Sequence, residues 1–95
     1  MKIYLIAIIK VKPQYREEVL NTLQNMVAHT RKETECESYN LHQGLDDENL
    51  FTFYEVWKSQ EGLDAHNQQP YIQAFGQLIA EKLVEKPTIL LTNLI

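Results

Sequence analysis

Phe51-Thr-Phe-Tyr-Glu-Val-Trp-Lys-Ser-Gln-Glu-Gly-Leu-Asp-Ala-His66 is a run that passes from strand to helix. Phe51, Phe53, Glu55 and Trp57 recur at a spacing of two, so in an extended chain their side chains leave one face. Leu50, Thr52, Tyr54 and Val56 share the other. Ser59 carries the oxygen needed to cap a short helix running to about Asn67, and that helix delivers His66 near the strand. A carboxylate, an indole and an imidazole are therefore expected on one apolar wall.

Upstream of this run, residues 44–49 are a turn by composition, with Gly44, Asp46, Asp47 and Asn49. Ser38 to Gln43 alternates, with Tyr39 and Leu41 on one face and Asn40 and His42 on the other, giving the first arm of a hairpin. Glu33 to Glu37 is a polar connection. Before it, Pro13 opens a helix, where the missing N–H costs nothing. Tyr15, Val19, Leu23, Met26, Val27 and Thr30 recur at helical spacing, and the helix is expected to end near Arg31 or Lys32. Residues 2–11 put Ile3, Leu5, Ala7, Ile9 and Val11 on one side and Tyr4, Ile6 and Ile8 on the other, the signature of a central strand covered twice. Downstream, Pro70 starts a helix with a stripe of Tyr71, Phe75, Leu78, Ile79 and Leu83. Pro87 stops it, and Thr88 to Ile95 reads as a last strand.

The order is β-α-β-β-α-β, an α+β, ferredoxin-like arrangement: a four-stranded antiparallel sheet with helices on one face. The 95 residues make one domain, 1–95. The face without helices still carries Ile6, Ile8, Leu50, Tyr54 and Val56. An apolar sheet of that extent is rarely left bare on a soluble monomer. A homodimer is expected, two sheets packing into a barrel-like core.

Composition narrows the function classes. A net charge of −4 and a pI near 5.3 argue against non-specific nucleic-acid binding. The longest apolar run, Tyr4 to Ile9, is too short to cross a bilayer. No cleavage-site pattern follows it, so neither a signal peptide nor a membrane partner is expected. The single cysteine, Cys36, cannot pair within the chain, which fits a reduced, cytoplasmic protein. His29, His42 and His66 are far apart in sequence and have no metal-site spacing with cysteine, so no metal is expected.

Several segments, in this order and spacing, resemble the antibiotic biosynthesis monooxygenase family over nearly the whole chain. They are Ile8-Ile9-Lys10-Val11-Lys12-Pro13, Thr30-Arg31-Lys32-Glu33, Cys36-Glu37-Ser38-Tyr39, Phe53-Tyr54-Glu55-Val56-Trp57, Leu63-Asp64-Ala65-His66, and Pro70-Tyr71 with Phe75. The resemblance implies a dimeric α+β barrel with a pocket between sheet and helices in each subunit. Relatives include cofactor-independent oxygenases of quinols and polyketide anthrones, haem-degrading enzymes, and enzymes that isomerise or process small signalling molecules. Two departures stand out. The family's Glu-Pro-Gly-Cys turn is Glu33-Thr34-Glu35-Cys36 here. The haem-degrading branch uses an Asn on the first strand, where this chain has Tyr4, Ile6 and Ile8; that argues against haem degradation.

An oxygenase without cofactors must bind an electron-rich phenol or quinol, remove its proton and keep the anion dry while it reduces O2. A histidine near its free pKa suits the proton transfer. His66 is the expected base, Glu55 its orienter or an alternative base, and Trp57, Phe53, Tyr39 and Phe75 the aromatic walls that bind the ring. The expected partners are a small aromatic substrate and O2. Each residue also has a plainer reading. His66 packs the end of its helix, Glu55 locks the fold through a buried hydrogen bond, and the aromatics are core. An isomerase or other small-metabolite enzyme using the same His66/Glu55 pair, and a ligand-binding dimer without turnover, are the rival functions.

Overall fold

Ile3–Lys10 forms β1, and its alternation decides the layers: Leu5, Ala7 and Ile9 are buried, while Tyr4, Ile6 and Ile8 are half-buried on the opposite face. The computed structural model describes all residues, 1–95. Pro13–Tyr15 makes one tight 3-10 turn before α1, Arg16–Thr30. The first helix thus begins in two steps, because Pro13 can open a turn but Tyr15 takes a non-helical conformation ahead of Arg16. The remaining elements are β2 (Cys36–Gln43), β3 (Leu50–Trp57), α2 (Gln60–Asn67), α3 (Pro70–Lys82) and β4 (Thr88–Thr92). Helix α1 ends at Thr30, slightly before the expected Arg31 or Lys32. Strand β4 ends at Thr92 rather than Ile95.

The sheet order is β2-β3-β1-β4, every neighbouring pair antiparallel. It is the α+β ferredoxin-like fold. Register places Leu5 opposite Glu55 and Leu91, and Ala7 opposite Phe53 and Ile89. All these side chains therefore face the helices. The core joins them to Val19, Leu23 and Met26 of α1, Leu63 of α2 and Phe75 of α3. Trp57, Phe51 and Phe53 are its largest fully or almost fully buried side chains. Each contributes roughly 1.5–3 kcal/mol by leaving water, so β3 is the most strongly anchored strand.

The helical layer does not reach the end of the sheet. Ile89 and Leu91 point to the helix side yet remain 53% and 56% exposed. Helix α3 stops at Lys82, and β4 is the sheet's outer strand. The gap left between α3, β1 and β4 opens the space described next. No helix is long and apolar enough to cross a membrane.

Candidate active site

A short series of local bonds brings the loop before β2 against α2. Ser59 is extended and its Oγ accepts from the Gly62 N–H at 3.0 Å, capping α2. The same hydroxyl donates to Glu35 Oε1 at 2.8 Å, and the Lys58 N–H donates to the Glu35 carbonyl at 3.0 Å. Gly62 sits where a Cβ would lie 2.4 Å from Glu35 Cβ; only glycine allows this approach. The residue two before Glu35 is thereby held over the last turn of α2, where His66 stands.

His66 is 4% exposed. Its Nδ1 lies 2.8 Å from Glu33 Oε2, and the same oxygen accepts from the Tyr71 hydroxyl at 2.5 Å. A carboxylate only accepts, so Nδ1 carries the hydrogen and Nε2 presents its lone pair. Nε2 has no protein partner. Burial pushes the His66 pKa down against the opposing pull of Glu33. The ring leans on Trp57, with centroids 4.5 Å apart, and meets Tyr39 edge-on at 5.5 Å.

Glu55 is the second buried ionisable group, 4% exposed. Its Oε1 accepts from the Trp57 indole N–H at 2.9 Å. Burial pushes its pKa up to about 7, opposed by the indole hydrogen bond and assisted by the charge of Glu33. The inward face of β3 thus holds a carboxyl that is partly protonated near neutrality.

These two groups line one cavity of about 270 Å3. Leu5, Ala7, Ile9, Leu63 and Ile72 form much of its wall, with Tyr39 and Phe75 as the aromatic members. Burial pushes the Tyr39 phenol far above its usual range, which keeps it neutral. The chamber is an apolar room with a free imidazole nitrogen and a tunable carboxyl on its wall.

The sequence expectations divide here. His66, Glu55, Tyr39 and Phe75 do meet at one cavity. Trp57 and Phe53 do not line it. Trp57 is fully buried behind the wall, where its N–H holds Glu55. Phe53 packs against Tyr39 at 4.7 Å. Glu55 is not the orienter of His66: its Oε1 accepts from the indole, and Glu33 holds Nδ1. Glu33 and Tyr71 are functional candidates that sequence reasoning missed. Glu33 looked like part of a polar connection, and Tyr71 like a core residue. Its ring instead stacks on the exposed His29, with centroids 5.1 Å apart. Burial, then Glu33, pushes the Tyr71 pKa up. Arg31 donates to the Tyr39 carbonyl and to Asn40 Oδ1, so it ties α1 to β2. Cys36 is pushed up to about 11, chiefly by burial, which leaves it a poor nucleophile.

Residues 2–78 match the family model described as antibiotic biosynthesis monooxygenase. YcnE of Bacillus subtilis (strain 168), provisionally named a monooxygenase, is 40% identical over 73 residues, covering 77% of each chain. The uncharacterized protein sll1783 of Synechocystis sp. is 39% identical over 79 residues, 83% of this chain, which spans only 53% of that relative's length. The crystal structure of PA3566 from Pseudomonas aeruginosa is similar with a TM-score of 0.93 and 28% identity, covering 99% of this chain and 94% of that one.

Proposed function

The chain belongs to the antibiotic biosynthesis monooxygenase family, and from that premise we propose that it oxidises a small phenol or quinol with O2, the substrate supplying the electrons. The observation that carries the reading is His66 on the wall of an apolar cavity, its Nδ1 fixed by Glu33 and its Nε2 without a protein hydrogen bond. His66 Nε2 takes the phenolic proton, and Glu33 stabilises the imidazolium as it forms. The aromatic anion reduces O2, and a C–O bond forms at the ring carbon para to the oxygen. The O–O and C–H bonds then break. One oxygen atom stays as the new carbonyl. The other leaves as water, with the proton held on His66 and the ring proton. A phenol and O2 thus become a quinone and water, with no outside reductant.

The cavity favours this chemistry because an apolar wall keeps the anion unsolvated. Its volume sits just below the range of roughly 300–1,000 Å3 for drug-sized ligands, so the ring system it takes is small. Glu55, poised near pH 7, supplies or withholds a hydrogen bond to the substrate's oxygen. The test is oxygen uptake against a panel of quinols and anthrones, with His66→Ala beside the parent protein. Uptake above the spontaneous rate that falls in the variant supports the reading; uptake equal in both removes His66 from the chemistry.

A second reading is an isomerase that moves a proton on a small carbonyl compound, favoured by two titratable groups pushed in opposite directions on one wall. It predicts exchange of substrate C–H hydrogen with solvent in the absence of O2.

The working form in this proposal is a cytoplasmic homodimer. Tyr4, Ile6, Ile8, Leu50 and Val56 are half-buried and Tyr54 is 42% exposed on the helix-free face, a surface a second copy would cover. A monomer at micromolar concentration in sedimentation contradicts this.

A further inference from the structure

We propose that the substrate is an aromatic ring bearing a flexible apolar chain, with the chain lying in a groove that leads from the cavity along α3. The inference rests on the reading that the cavity beside His66 takes the reacting ring. The groove is the largest concavity of the molecule, about 780 Å3, between α3 and residues 83–89. It adjoins the cavity: Asn67, Ile72, Phe75, Pro87 and Ile89 border both. The inner end is therefore marked by His66, more than nine-tenths buried, with Nε2 unpartnered and Nδ1 already occupied. Ile79, Leu83 and Val84 continue the apolar wall, and Lys86 and Glu85 stand at its margin.

One residue of the groove has no structural account of its own. Gly76 lies inside α3, where glycine costs about 1 kcal/mol relative to alanine. Its φ is not positive, and a Cβ there would touch nothing within 4 Å. No close packing demands it. Ala80, one turn further along the same face, also lines the groove. The two keep the floor open where larger side chains would fill it. A ring alone fills the small inner cavity and needs none of this space; a ring with an alkyl or isoprenoid-like chain uses both.

The test is calorimetric binding without O2, so that no turnover occurs. Probes are meta-alkylphenols, which keep the para C–H that the oxygenation step breaks, the chain lengthened stepwise from methyl to about eight carbons, with affinity expected to rise up to about fourfold per buried methylene. Gly76→Trp, and Ala80→Trp as a second plug in case the first perturbs the helix, are expected to remove most of this dependence on chain length. Both are checked for native circular dichroism. Affinity independent of chain length in the parent protein, or a dependence unchanged in both folded variants, overturns the proposal. Chain-dependent binding with no oxygen uptake leaves this inference standing and sinks the oxygenase reading. Uptake on short phenols without any chain dependence does the reverse.

Discussion

Glu33 and His66 are 33 residues apart in sequence, and their Oε2 and Nδ1 atoms are 2.8 Å apart. The contact orients the imidazole and fixes which nitrogen carries the hydrogen. It also raises the His66 pKa against burial, which lowers it. Removing the charge in Glu33→Gln therefore lowers the pKa further. The acidic limb of the kcat/KM profile is expected to move to lower pH. The plateau is expected to fall about tenfold to a hundredfold, since a base without its counter-charge is weaker. A pH–rate profile of the two proteins checks both effects.

Trp57 acts on Glu55 in the opposite sense. Its indole N–H stabilises the ionised carboxylate. Trp57→Phe removes the donor and is expected to raise the Glu55 pKa above its present value of about 7. A carboxyl-carbon NMR titration with labelled glutamate reads the change directly.

Glu55 also sets a pH dependence of stability. Its pKa is raised in the folded state, from 4.5 to about 7. The folded protein binds more protons between those values, so stability contributed below pH 4.5 is lost as pH rises through 7. The gap corresponds to about 3 kcal/mol. Glu55→Gln keeps an oxygen for the indole and cannot ionise. It is expected to gain stability over the parent at pH 8 and to lose most of that advantage at pH 4.5. His66 has the opposite sign: its pKa is lowered, so its contribution is present above 6.5 and is lost as pH falls. Denaturant unfolding of the parent, Glu55→Gln and His66→Ala across this range separates the two.

Gly62 is the point where α2 and the loop before β2 touch. An alanine there would bring Cβ within 2.4 Å of Glu35 Cβ, an atom too near the backbone to swing away. Gly62→Ala is expected to destabilise by about 1–3 kcal/mol and to pull Glu33 away from His66. Thermal unfolding reads the first effect. Loss of the histidine Nδ1–H signal from its hydrogen-bonded position in nitrogen-15 NMR reads the second.

The strands and helices were legible because their signals are local. The alternation of β1 and β3, the cap at Ser59, the proline that opens α3 and the turn at Gly44 each act within a few residues. The inward set Phe51, Phe53, Glu55 and Trp57 followed from period two alone. What stayed hidden was which of these residues meet the cavity. Trp57 and Phe53 share a face with Glu55 but are covered by other rings, Phe53 by Tyr39 and Trp57 by His66, while Glu55 between them borders the space. Glu33 was hidden for a related reason. Its partners lie 33 and 38 residues away, and nothing in the acidic run around it separates it from Glu35 or Glu37. The placement comes from the packing of Glu35 against Gly62, a contact that no sequence period encodes.

The most direct test of the account is turnover with isotopically heavy O2, following both oxygen atoms in the parent protein and in His66→Ala. The account predicts one heavy atom in the quinone product and one in water, at a rate that collapses in the variant. Product carrying no heavy oxygen, or labelling at an unchanged rate in His66→Ala, would contradict it.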